Sequence, residues 1–183
     1  MSADLLAQWQ AEEAAIRARQ AHPAGTIPAL DASTRPGLEV LQDMIAGMLP
    51  GARFAETLDF LLVHAAQGEA VFQGRPGPRF LNPLGSLHGG WYATLLDSAI
   101  GCAVHTTLQP GRAYTTLEFK LNLVRAIGPE VPLVRAEGRT IHVGRQIATA
   151  GGQLVGPDGK LYAHASTTCL CFDLPAAAAQ STP

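Results

Sequence analysis

Residues 82–104 read NPLGSLHGGWYATLLDSAIGCAV, and the rest of the fold is read outward from them. His88-Gly89-Gly90 turns the chain into a run that is apolar nearly all round, predicting a helix over 90–108 that Pro110-Gly111 closes. A helix apolar on every side must be buried on every side. One carboxylate, Asp97, interrupts the run.

The two features at either end of this stretch suggest chemistry. The first turn of a helix has free N–H groups and a partial positive charge. Gly89 and Gly90 carry no Cβ to keep a ligand away, so the amides suit a carbonyl oxygen, and better still one becoming an oxyanion. The glycines also serve simply as a tight approach to the helix. Asp97 is costly among apolar neighbours. It is either a structural acid that faces a wet edge or bonds a hydroxyl such as Thr94 or Ser98, or a nucleophile or general base. Eight residues separate Gly89 from Asp97, roughly 12 Å along one helix axis. Attack on a carbonyl held by Gly89 needs contact at ~3 Å. If both act on one substrate, they come from two copies of the helix, antiparallel across a twofold axis.

On the N-terminal side, 3–20 predicts an amphipathic helix with Leu5, Trp9 and Ile16 on one face and Glu12, Glu13, Arg17 and Arg19 elsewhere. Residues 24–35 read as a loop. A second helix is expected over 36–49, with Leu38, Leu41, Ile45 and Met48 as its apolar stripe and Pro36 in its first turn. Strands are expected over 54–63 and 68–73 about a turn at Gln67-Gly68, followed by a Gly- and Pro-rich loop over 74–83. Past the helix the apolar period changes to two. In 114–125 Leu117, Phe119, Leu121 and Leu123 alternate with Thr116, Glu118, Lys120 and Asn122. Further strands are expected over 131–142, 145–155 and 161–172, with Gly156-Pro-Asp-Gly159 as a hairpin turn. Ala136, Gly138, Ala148 and Ala150 are small on the inward side, which lets the helix approach closely. The expected division is a helical extension over 1–53, a main domain over 54–173 and a flexible tail over 174–183.

Composition excludes several classes. Hydrophobic residues make up 47% and charged residues 15%, enough for a full core and a buried subunit contact. A formal charge of −2 gives no field for nucleic acid or an anionic membrane. Asp97 breaks the best membrane-length run, so no membrane span is expected. Cys102, Cys169 and Cys171 are odd in number with no export signal, which predicts a reducing cytoplasm and three small buried hydrophobes. There is no G-x-S-x-G elbow, P-loop or dinucleotide fingerprint, and no His pair spaced for zinc, so no metal is expected.

His88 either orients Asn82, the loop or a substrate carbonyl, or makes a structural hydrogen bond. Asn82 either forms the turn before Pro83 or holds a water. Thr115 shares the parity of Leu117 and Phe119, which predicts that it points to the helix. Gly90, Thr116 and Arg145 are candidates for holding substrate, Arg145 either on a phosphate or as a solvated surface residue. His22, His64, His105, His142 and His164 receive no role.

Asn82, HGG at 88–90 and LLDSAIG at 95–101 resemble the hotdog-fold acyl-CoA thioesterases of the phenylacetate-degradation (PaaI-like) type. The similarity continues through 114–125, 136–150 and 158–169, and covers roughly the last two-thirds of the chain. It implies an α+β hotdog fold: a long central helix wrapped by a curved antiparallel sheet, here with an N-terminal helical extension. It implies a homodimer or dimer of dimers that hydrolyses an acyl-CoA thioester, with CoA as part of the substrate and no separate cofactor. Gly89 then gives its N–H to the thioester oxygen. Asp97 acts as nucleophile or as base for water, and Asn82 and Thr115 position that water or the carboxylate. A non-catalytic acyl-CoA or small-ligand binding protein on the same fold is the competing expectation.

Overall fold

A computed structural model describes residues 3–128 and 130–174. Of the tail expected over 174–183, Leu174 donates to the Gly111 carbonyl at 2.7 Å and the rest lies outside the described residues. Four helices precede the first strand: α1 (Ala3–Arg19), α2 (Ala29–Thr34), α3 (Gly37–Ala46) and α4 (Arg53–Thr57). β1 (Phe60–Ala66) and β2 (Glu69–Gly74) form a hairpin, and a single 3-10 turn, Pro78–Phe80, leads to the long helix α5 (Gly89–His105). β3 (Arg112–Leu123), β4 (Val134–Val143), β5 (Ile147–Val155) and β6 (Leu161–Asp173) complete an antiparallel sheet of order β1-β2-β4-β5-β6-β3.

α5 touches all six strands. Its residues Leu95, Leu96, Ala99, Ile100, Ala103 and Val104 are fully buried against Ala136, Ala148 and Ala150. The small inward residues explain the closeness. A Cβ at Gly138 would run into the backbone of Ala99, and one at Gly152 would lie 2.6 Å from Ile100 Cγ2. Burial is not complete, however. Gly90 and Asp97 are exposed and Thr94 and Ser98 half-buried, so its own sheet leaves one polar stripe of the helix incompletely covered.

The N-terminal region departs from the expected pattern in several places. The loop expected over 24–35 contains α2, which opens after Pro28; Arg35, just past it, pairs with Asp31 at 3.4 Å and with Asp43 at 2.6 Å. The helix expected to reach residue 49 stops at Ala46. Gly47 adopts φ 79°, a left-handed conformation that suits glycine, and its N–H caps the Asp43 and Met44 carbonyls. Met48 is therefore off the stripe and 59% exposed. The strand expected over 54–63 is α4 followed by β1, with Asp59 at φ 54° between them.

Glu13, expected on the polar face of α1, is fully buried. It accepts hydrogen bonds from Arg17 Nε (2.7 Å), Arg75 Nε (2.7 Å) and Gln73 Nε2 (2.8 Å). Burial works to raise its pKa, but the bonds from Arg75, Arg17 and Gln73 outweigh it and hold the carboxyl below its ordinary range. Arg135 lies 4.4 Å over the Trp9 ring, donates to Gln73 and pairs with Glu12. A polar network thus fastens α1 to β2 and β4.

Candidate active site

The loop before α5 is built by Asn82. Its Oδ1 accepts from the N–H groups of Leu84 (2.9 Å) and Ser86 (3.2 Å), and its Nδ2 donates to Ser86 Oγ (2.7 Å). His88 caps the helix, its Nδ1 accepting from the Gly90 N–H at 2.9 Å. The Gly90 amide is therefore taken. The Gly89 N–H has no acceptor among the described residues. Asn82 and Gly89 share the wall of a cavity of about 390 Å³ with Tyr92, Leu123 and Arg125.

Asp97 lines a different cavity, of about 470 Å³, together with Ser98, Cys102, Tyr114 and Thr116. It is exposed in the single chain, on the edge of α5 that β3 flanks. Neither Thr94 nor Ser98 is its partner. Thr94 donates to the Gly90 carbonyl at 2.8 Å, and Asp97 accepts from Thr116 Oγ1 at 3.2 Å. Desolvation raises the Asp97 pKa, and the Thr116 hydrogen bond works against that rise.

Thr116 stands where Thr115 was expected. A bulge between Thr116 and Glu118 shifts the β3–β6 register by one residue. Phe119 and Leu121 still pack on the core, but upstream of the bulge the parity reverses. Tyr114 and Thr116 face α5, whereas Thr115 is on the other face of the sheet and exposed, as is Leu117 at 58%. Alternation alone cannot show a bulge, so the sequence carried no signal for this reversal.

Arg145 lies between β4 and β5, exposed, and lines neither cavity; its carbonyl accepts from Arg112. Cys102 is half-buried and Cys169 and Cys171 are buried, all three as free thiols. Burial chiefly, with the nearby Asp97, pushes the Cys102 thiol up to about 12, and it stays protonated. Burial likewise raises Tyr114 well above its usual value. Sequence reasoning missed Tyr114 and Arg125. Tyr114 needed the bulge, while Arg125 was visible only as the end of a strand. Among the described residues no cluster of three or more His, Cys, Asp or Glu is placed to hold a metal, and no helix is long and apolar enough to cross a membrane.

A six-stranded antiparallel sheet around one long helix is the hotdog architecture. A family model for the thioesterase superfamily matches residues 84–163. A phenylacetic acid degradation-related protein from Ralstonia eutropha is 30% identical; the match covers 71% of this chain and 98% of that one, with a TM-score of 0.64. A single-residue mutant of the phenylacetic acid degradation protein PaaI from Thermus thermophilus is 29% identical over 64% of this chain and 96% of that one, at TM-score 0.58. A thioesterase family protein from Silicibacter pomeroyi, 21% identical at TM-score 0.64 over 75% and 98% of the two chains, shares the fold. No match was found among curated proteins. This chain belongs to the PaaI-like hotdog thioesterases.

Proposed function

We propose that this protein hydrolyses an acyl-CoA thioester to a free acid and CoA in two sites shared across a homodimer, itself able to pair into a dimer of dimers. The observation that carries the reading is the division of one helix between two cavities. The unpaired Gly89 N–H lines one and Asp97 lines the other. The roughly 12 Å between them along the helix prevents one chain from using both on one carbonyl. A second copy, antiparallel across the exposed polar stripe of α5, brings the Asp97 of each chain to the Gly89 of its mate. That contact would also cover Asp97.

In such a site the Gly89 N–H, at the positive end of α5, polarises the thioester oxygen. Asp97 either attacks the carbonyl carbon, forming an anhydride that water then opens, or takes a proton from attacking water. By either route the C–S bond breaks and CoA leaves as the thiol. Thr116 holds the carboxylate. Asn82 shapes the loop that presents Gly89, and His88 fixes the helix start by capping Gly90. CoA is part of the substrate, the chemistry needs no metal or further cofactor, and the cytoplasm supplies the substrate. Thiol release from a panel of acyl-CoAs tests the reading. Turnover is expected from the wild type and a loss of about 10²–10⁴-fold in kcat from Asp97→Asn. Binding without thiol release would instead make the protein an acyl-CoA binding module.

A further inference from the structure

The cavity at Asp97 extends well beyond the carboxylate and into the segment preceding β1. Its wall includes Gln20, Ala24, Met44, Ala52, Phe54 and Ala55 from that segment, and Phe60, Leu62 and Phe72 from β1 and β2. None of these residues falls within 84–163, the stretch that the family model matches. Phe60 and Phe72 meet edge to face at 5.7 Å. Cys102 and Tyr114 close the wall near Asp97 as neutral groups.

We infer that this N-terminal segment is the specificity element of the enzyme, walling a pocket that takes the acyl group as a medium-length, uncharged, apolar chain. The inference rests on Asp97 acting on the thioester. Size is the first argument. An apolar cavity of about 150 Å³ holds the six carbons of benzene, roughly 25 Å³ each, so about 470 Å³ holds at most about nineteen atoms, the reacting thioester group beside Asp97 included. A two- or four-carbon acyl group would leave most of that volume without contacts. Charge is the second argument. Arg17 and His22 are the basic side chains among the described lining residues, and Arg17 is already paired with Glu13 at 2.7 Å and Asp59 at 2.8 Å. Glu56 adds a negative charge to the same wall. A second carboxylate at the far end of the acyl chain would therefore find no free guanidinium or ammonium to receive it.

The test is a chain-length profile of kcat/KM over acetyl-, butyryl-, octanoyl-, lauroyl- and palmitoyl-CoA, together with glutaryl-CoA, for the wild type, Ala52→Trp and Phe54→Ala. Calorimetric binding of free laurate to the same proteins runs alongside. Ala52 and Phe54 are both exposed on the cavity wall, so neither substitution disturbs the core. In the wild type, kcat/KM is expected to rise by up to about fourfold per added methylene to an optimum at octanoyl or lauroyl, with glutaryl-CoA poor. Ala52→Trp fills the pocket: lauroyl-CoA turnover and laurate affinity should fall more than about tenfold while butyryl-CoA changes less than about twofold. Phe54→Ala should weaken laurate binding with the same sparing of butyryl-CoA. A profile flat in chain length, or one that both folded variants leave unchanged, overturns the pocket assignment while hydrolysis stands. Laurate binding that Ala52→Trp abolishes, without thiol release from any thioester, retains the pocket and overturns the hydrolase.

Discussion

Two inactive variants should restore each other. Asp97→Asn removes the carboxylate and keeps its shape and its Thr116 partner. Gly89→Val places a branched side chain over the free N–H, where even a Cβ would lie 3.2 Å from Leu123 Cδ1. In the proposed homodimer each variant lacks one essential group in both sites and is expected to be nearly inactive. In a heterodimer, one site combines the two defects. The other combines the intact Asp97 of the Gly89→Val chain with the intact Gly89 of the Asp97→Asn chain. Random exchange makes half the dimers mixed, each with one working site of two, so activity should return to about a quarter of wild type. The assay is thiol release from the best acyl-CoA after partial unfolding and refolding of the mixed variants, with subunit exchange followed by native mass spectrometry. Failed recovery in a sample shown to contain heterodimers would refute the shared site. Such a result would mean that each chain uses its own Gly89 and Asp97, which roughly 12 Å of helix forbids on one carbonyl.

The acid limb of kcat/KM should reflect Asp97. Its raised pKa places the limb above the ordinary carboxylate value of 3.8, and Thr116→Val, which removes the opposing hydrogen bond, should move it further up. Glu13→Ala leaves the buried Gln73 amide without its carboxylate, a cost of about 1–3 kcal/mol. The Arg17 and Arg75 side chains, 44% and 45% exposed, add little because water solvates them. Because the folded carboxyl is held low, its stabilisation is complete above the unfolded value near 4.5 and is lost as pH falls through the folded value. Melting curves of Glu13→Gln should therefore show a flatter acid decline than wild type. Gly138→Ala drives a methyl into the Ala99 backbone and should lower stability by about 1–3 kcal/mol, read from the denaturation midpoint.

The helix of residues 82–104 and the strands that follow were legible because their periods are set by neighbours three, four or two residues apart. Small residues facing that helix, Gly138 among them, announced its close packing. The hairpin at Gly156–Gly159 was equally local. Legibility failed wherever a distant contact overrode the local pattern. Glu13 looks like a solvent-facing acid until Arg75 and Gln73, some sixty residues on, arrive beside it. Helix α3 ends one turn early because Gly47 can go left-handed, removing Met48 from its stripe.

The amino-acid order alone determined that one chain carries a helix-start amide and a carboxylate too far apart to meet, because the rise of a helix is a constant of its geometry. Only the folded chain decided that Thr116 rather than Thr115 holds Asp97, because a single extra residue in β3 reverses every side chain upstream of it and alternation cannot show where that residue is inserted. Only the folded chain, likewise, brought Ala52 and Phe54 into the cavity that Asp97 lines. Nothing local in the two segments relates them; the hairpin of β1 and β2, packed on α5, does.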